Sequence, residues 1–223
     1  HVTISYNGKP VVQDVSFELR QGEILGIVGE SGSGKSTIVK AIMGLLGEEG
    51  LVTRGDIWYR GENLTDMNTK KLRRYLGTEI GMVFQDCKGA LCPVRKIGAQ
   101  IYEAVSEHEK ISRWAVRERA GEIMRKIGLD DSDPFELSGG MNQRVGICTA
   151  MIMRPKLLLA DEPTSALDVT VQKQVVEELL LMRREYDTAM ILVTHNIGVV
   201  RMMADRTLVL QNGQVREYGE TGA

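Results

Sequence analysis

The chain has 223 residues, 43% of them hydrophobic and 26% charged, enough to bury a sizeable core in one or two closely joined lobes. Its formal net charge of −2 mixes both signs, so no basic patch announces DNA or RNA, and nucleic acid is not expected as a partner. The longest apolar stretches fall far short of the roughly 20 residues a membrane-spanning helix needs, and a signal peptide is not expected from the first residues given.

Three cysteines, Cys87, Cys92 and Cys148, suit a reducing compartment and propose no disulfide framework. Cys87 and Cys92 have no obvious further ligands nearby, and default to small residues rather than a metal site. The chain starts at His1 without an initiating Met, so it is expected to be a piece of a longer protein.

Along the chain, Val2 to Tyr6, Val15 to Leu19 and Asp56 to Tyr59 read as strands, with Asn7-Gly8 and Gln21-Gly22 as turns. Glu23 to Val28 is a short apolar run fit for a buried strand. It feeds into Gly29-Glu30-Ser31-Gly32-Ser33-Gly34-Lys35-Ser36-Thr37, which has the G-x-x-x-x-G-K-[ST] spacing of a phosphate-cradling loop. The glycines let successive backbone N–H groups face phosphate oxygens, Lys35 neutralises charge, and the Ser36 hydroxyl can reach Mg²⁺. Thr37 to Met43 then shows helical spacing, so a helix N-terminus adds its positive end to the phosphate site. The pattern alone turns up by chance in roughly one such chain in a hundred. Strand before and helix after are the context it requires.

Ile80 to Phe84 is a further strand ending at Gln85, whose amide could serve Mg²⁺ or the attacking water. From about Ile97 to Ile127 the pattern is helical, with Val116, Ala120, Ile123, Met124 and Ile127 on one face. Ser138-Gly139-Gly140 opens a helix that runs to about Met153, which makes a second anion site. Two phosphate sites on one mononucleotide enzyme suggest two copies facing head to tail, each loop covered by the other's Ser-Gly-Gly turn.

Leu157 to Ala160 is an apolar strand that ends in Asp161-Glu162, where ligands bind in open α/β sheets. Asp161 would hold Mg²⁺ through water, and Glu162 is the candidate general base for the attacking water. Asp168 reads as the N-cap of a helix with Val171, Val175, Val176, Leu179 and Met182 facing inward. Met190 to Thr194 and Thr207 to Leu210 supply two more strands, and His195 follows the first, placed to hydrogen-bond a γ-phosphate. Tyr6 could stack on an adenine ring or pack on its neighbours as an ordinary strand tyrosine. Strand–helix alternation at both ends predicts an α/β core of mostly parallel strands with a helical lobe inserted in the middle.

Together these residues resemble the nucleotide-binding subunit of ATP-binding-cassette transporters over essentially the whole chain. Gly29 to Thr37 is similar to the Walker A loop, Gln85 to the Q-loop glutamine, and Leu137-Ser138-Gly139-Gly140-Met141-Asn142-Gln143 to the family signature. Leu157 to Glu162 is similar to Walker B with its glutamate, Ser165 to Asp168 to the D-loop, and His195 to the switch histidine. The resemblance implies a P-loop NTPase fold: a RecA-like α/β core, an antiparallel β region and an inserted helical subdomain. The 223 residues would then form a single cassette, with a core lobe of about 1–85 and 155–223 and a helical subdomain of about 86–154. It further implies ATP and Mg²⁺ as ligands, Gln143 among the nucleotide-binding residues, and two cassettes sandwiching two ATP molecules to drive two transmembrane permease subunits. The protein would lie at the cytoplasmic face of the membrane, held there by the permeases.

A narrower resemblance, to the dipeptide, oligopeptide and nickel importer ATPases, rests on Leu76 to Asp86, Pro93 to Gly98, Ala166 to Gln172, His195 to Val200 and Met203 to Arg206. It implies an extracytoplasmic solute-binding protein and uptake of peptides or a related small solute. Export, or a soluble cassette of DNA repair or translation, are the alternatives. Two departures stand out: Cys87 to Pro93 replaces the group's usual Pro and Ser-Leu-Asn-Pro stretch, and the group's members usually extend beyond the position of Ala223.

Overall fold

In the computed structural model, residues 1–85, 87, 92, 95–128 and 139–222 are described, without the side chains of 139–141. The chain divides into two compact units, His1–Leu76 with Ala189–Ala223, and Gly77–Thr188.

The first unit opens with the hairpin β1 (Val2–Tyr6) and β2 (Lys9–Val15). Asn7 and Gly8 both have left-handed backbones (φ 49° and 75°), the geometry of a two-residue type I′ turn whose twist matches the strands it joins. The turn restarts the chain in extended form at Lys9, so β2 lies ahead of the Val15–Leu19 strand predicted from composition, and residues 16–20 are irregular. Val12 and Val15 are the inward positions of β2. The other edge of β1 is taken by β4 (Gly50–Arg54), giving an antiparallel sheet in the order β2-β1-β4. Where Asp56–Tyr59 was read as one strand, the extended backbone is only β5 (Trp58–Tyr59), paired with β6 (Glu62–Asn63).

The same unit holds the strand β3 (Ile24–Val28), buried at every position and flanked in parallel by β9 (Ala189–Thr194) and β10 (Arg206–Gln211). Strands buried on both faces read as continuous apolar runs, as Ile24–Val28 and Ala189–Val193 do. An antiparallel strand, β11 (Gln214–Glu220), follows β10. The helices of this unit are α1 (Lys35–Ile42), the short α2 (Thr69–Leu72) and α7 (Ile197–Met203). Gly26 lets α7 approach β3: a Cβ there would lie 2.6 Å from Val200 Cγ1.

The second unit pairs β7 (Ile80–Val83) in parallel with β8 (Leu157–Asp161). Its helices are α3 (Ile97–Ser106), α4 (Arg113–Lys126), α5 (Gly139–Met151) and α6 (Val169–Tyr186). The helical stretch read as continuous from 97 to 127 is therefore two helices. Ser112 ends the break, its hydroxyl accepting from Ala115 N as an N-cap. Val116, Ala120, Ile123 and Ile127 are buried, as their spacing predicted, whereas Met124 is only half-buried. Asp168 caps α6 through Val171 N at 3.0 Å. Val175, Val176, Leu179 and Met182 then bury one face of that helix, each contributing about 1.5–3 kcal/mol of transfer free energy, whereas Val171, expected on the same face, is half-buried.

Candidate functional site: a phosphate loop and paired carboxylates

In the first unit, β3 delivers the chain to Gly29, and α1 begins six residues later at Lys35. Gly32 and Gly34 turn the loop through left-handed backbone (φ 79° and 100°), which an L side chain adopts only with strain. Gly29 is required for a different reason: a Cβ there would stand 2.1 Å from the carbonyl oxygen of Leu210 on β10. Lys35 is buried, and its ammonium donates to the carbonyls of Gly29 and Glu30, both at 2.8 Å. The cation is thus folded over the loop that its own helix terminates. Ser33 N donates to Glu30 O, Ser33 O accepts from Gly213 N, and Ser33 Oγ is buried without a hydrogen-bond partner.

The sheet register gathers a second group at this edge. Val28 pairs with Thr194 and with Val209, so β3 and β9 end together while β10 runs on to Gln211. Gly29 and His195 consequently leave the same edge of one sheet, with His195 exposed. Asn196 follows and caps α7, accepting from Gly198 N at 2.9 Å. Tyr6 sits in the three-stranded sheet, half-buried, against Gly50, where a Cβ would lie 2.8 Å from its ring carbon Cε1.

In the second unit, Val83 pairs with Ala160, so Gln85 and the Asp161-Glu162 pair emerge from the same end of β7 and β8. Asp161 and Glu162 are 8% and 9% exposed. Glu162 has a left-handed backbone (φ 49°), rare for a residue with a long side chain and a form of strain that gathers at functional sites. The turn that follows is closed by Ser165 N donating to Glu162 O at 3.1 Å, and Gln85 Nε2 reaches Ser165 Oγ at 3.5 Å. Gly139 and Gly140 form the first turn of α5. Gln143 is 4% exposed and gives its amide to the carbonyl of Phe84 at 3.4 Å, where Cys87 Sγ also donates. Ser138 lies outside the described residues.

Each unit therefore assembles its own share of the expected residues: Tyr6, Gly29 to Thr37 and His195 in the first, Gln85, Asp161, Glu162, Gly139, Gly140 and Gln143 in the second. Two residues with structural consequence were not anticipated from the sequence. Arg144 on α5 and Glu178 on α6 form an ion pair with both side chains largely buried. The signal was present in the spacing, because Val175, Glu178 and Met182 share one helical face.

Comparison with known proteins adds family and fold. The family model for ABC transporters matches residues 12–165. The oligopeptide transport ATP-binding protein OppD of Bacillus subtilis is 44% identical over 223 residues, 96% of this chain and 62% of that protein. The oligopeptide transport ATP-binding protein AmiE of Streptococcus pneumoniae is 41% identical over 93% of this chain and 61% of its own length. The chain thus spans about three-fifths of the curated relatives it matches. Among solved structures, a dimeric, post-hydrolysis form of the ATP-binding cassette MJ0796 bound to ADP and Pi superposes with a TM-score of 0.85 at 28% identity, covering 100% of this chain and 97% of that one. The fold is that of the ABC ATPase, a P-loop α/β protein with an antiparallel sheet and a helical part, and the chain belongs to the ABC transporter family.

Proposed function

We propose that this chain is the ATP-hydrolysing part of an ABC importer that takes up peptides. The observation that carries the reading is the 44% identity to an oligopeptide transport ATP-binding protein along nearly the whole chain, in which the phosphate loop, the Asp161-Glu162 pair and His195 are all present.

In this reading the loop from Gly29 to Thr37 cradles the phosphates of ATP. Lys35, already buried and hydrogen-bonded to the loop, exchanges part of its bonding to Gly29 and Glu30 for phosphate oxygens. The buried, unpartnered Ser33 hydroxyl fits the same group, since a polar atom left without a partner inside a loop is satisfied by an incoming acceptor or donor. Glu162 takes a proton from the attacking water, held by its strained backbone, and His195 steadies the γ-phosphate. Tyr6 offers an aromatic face to adenine.

Ser36, Gln85 and Asp161 offer a hydroxyl, an amide and a carboxylate, hard oxygen donors of the kind that suit Mg²⁺. Held by those residues, Mg²⁺ would supply positive charge to the terminal phosphates. Gly139 and Gly140, with Ser138, serve a nucleotide held by a second cassette, which is how one chain comes to carry two anion sites, while Gln143, expected from the sequence to join them, is buried with its amide on the Phe84 carbonyl and supports the start of α5 instead.

The implied assembly contains a second cassette subunit, two transmembrane permeases at the cytoplasmic face of the membrane, and an extracytoplasmic solute-binding protein. Among the described residues, no helix is long and apolar enough to cross a membrane. The test is to isolate the full-length protein from detergent-solubilised native membranes and to identify what accompanies it. Two multispanning proteins, another cassette and a peptide-binding protein are expected, together with loss of labelled oligopeptide uptake when Glu162 is changed to Gln. Recovery of ribosomes or DNA-repair proteins with no membrane partner would overturn the transport assignment.

A further inference from the structure

The second unit buries a charged pair that the proposed ATPase chemistry does not use. Glu178 lies on α6 among Val175, Val176, Leu179 and Met182, and is buried with them. From α5, Arg144 donates through Nε to Glu178 Oε1 and through Nη2 to the carbonyl of Ile127, just past the end of α4. One guanidinium therefore ties three helices. The other carboxylate oxygen, Oε2, is buried without a hydrogen-bond partner, so Glu178 is held at a single point.

Burial outweighs the attraction of Arg144 and lifts the Glu178 carboxyl to about 7, with Glu177 adding to the rise. The charges acting on it are Arg144 from α5 and Glu177 on its own helix. From α4 it is approached through the carbonyl of Ile127, whose neighbour Lys126 is engaged by Glu122 and Glu185. A buried pair that its surroundings disfavour adds little to stability over apolar residues of the same size, and its best-attested use is to fix one arrangement among several. The arrangement at stake is the start of α5. Gln143 anchors it to the carbonyl of Phe84 beside Gln85, and the next residue, Arg144, anchors it to α4 and α6.

We infer that the Arg144–Glu178 pair is a latch that sets the position of the first turn of α5, which makes Glu178 a positioning residue for ATP-dependent closure of two cassettes. This rests on the ATPase reading above. Protonation of Glu178 removes the charge from the latch, and Glu178→Gln reproduces the protonated form.

The experiment uses the full-length protein purified with the subunits it assembles with, and measures kcat for ATP between pH 6 and 8.5 beside equilibrium binding of a fluorescent ATP analogue. For Glu178→Gln, the wild-type to variant kcat ratio is expected to grow from about 1 at pH 6 to about 10 at pH 8.5, while analogue affinity stays within about twofold. A ratio that is the same at every pH means a structural role alone and overturns the latch. The double variant Arg144→Met with Glu178→Leu replaces both charges by apolar groups and is expected to fold. It should keep turnover about tenfold down at pH 8.5, and wild-type turnover in it would also overturn the latch. Wild-type protein that binds no analogue overturns the ATPase reading itself, whereas binding with a flat ratio overturns the latch alone.

Discussion

Val28 on β3 pairs with Thr194 on β9, and this single register places Gly29 and His195 at one edge of one sheet although they are far apart in the chain. Because side chains alternate along a strand, a slip of one residue would turn every side chain of β9 to the other face and shift His195 along the edge from the loop. The five paired positions from Ile24–Met190 to Val28–Thr194 are apolar or small up to that last pair, and all are buried.

Lys35→Ala is expected to weaken ATP binding by roughly 10–100-fold, the loss of a charge-assisted hydrogen bond to phosphate. It also leaves the carbonyls of Gly29 and Glu30 without their shared donor, so the thermal midpoint should fall as well. Equilibrium titration with a fluorescent ATP analogue and a thermal melt separate the two effects.

Glu162→Gln should retain nucleotide binding while turnover drops about 10²–10⁴-fold, as for loss of a general base. Glu162→Gly should be equally inactive, yet unfold no earlier than Glu162→Gln, because glycine adopts the left-handed backbone at 49° without a Cβ clash. Steady-state phosphate release and melting curves decide it. Unchanged turnover in the Gln variant would remove Glu162 from the role of base.

Gly29→Ala should destabilise the first unit and impair ATP binding, since its Cβ would meet the Leu210 carbonyl at 2.1 Å, a backbone atom that cannot swing aside. Gly32→Ala, with open space around its Cβ and only an unfavourable φ to bear, should be the milder change. Comparing the two melts distinguishes close packing from backbone strain.

Stability should depend on pH through Glu178. Its carboxyl in the folded protein holds a proton up to about 7, whereas in the unfolded chain it releases it near the ordinary 4.5. Between those values the unfolded state binds fewer protons, so the contribution of this group to stability falls as pH rises from about 4.5 to about 7 and is level above. Melting curves across this window should show a shallower decline for Glu178→Gln than for the wild-type protein, and parallel curves would contradict the assignment.

Thiol chemistry offers a check on burial. Cys148 is enclosed on α5, and burial pushes its thiol up to about 12, so almost no thiolate forms at pH 8. Cys87 is also buried, whereas Cys92 is only half-buried. Brief treatment with iodoacetamide at pH 8 should therefore modify Cys92 well ahead of the other two, as read by peptide mass spectrometry.

Much of the site was legible in the chain because its signals are local. A glycine spacing, an apolar run ending in two carboxylates and a histidine after a strand each lie within a few residues, where backbone conformation and sequence are tied directly. Local turn chemistry was legible too, although only partly used. Asn212-Gly213 carries the same left-handed pair of backbones as Asn7-Gly8 and makes the β10–β11 hairpin, but β11 itself is too polar and exposed to announce a strand. The misplacement of β2 has the same origin, since Pro10 argues against a strand while an edge position tolerates it.

The sequence by itself determined which residues could bind phosphate and activate water, because those abilities belong to side-chain chemistry and short-range backbone geometry. Only the tertiary structure decided that Gly29 and His195 share an edge, that Gln143 spends its amide on Phe84, and that Glu178 is buried against Arg144. Those facts depend on strand register and helix packing, which are set by the burial of the whole apolar core rather than by any neighbouring residues in the chain.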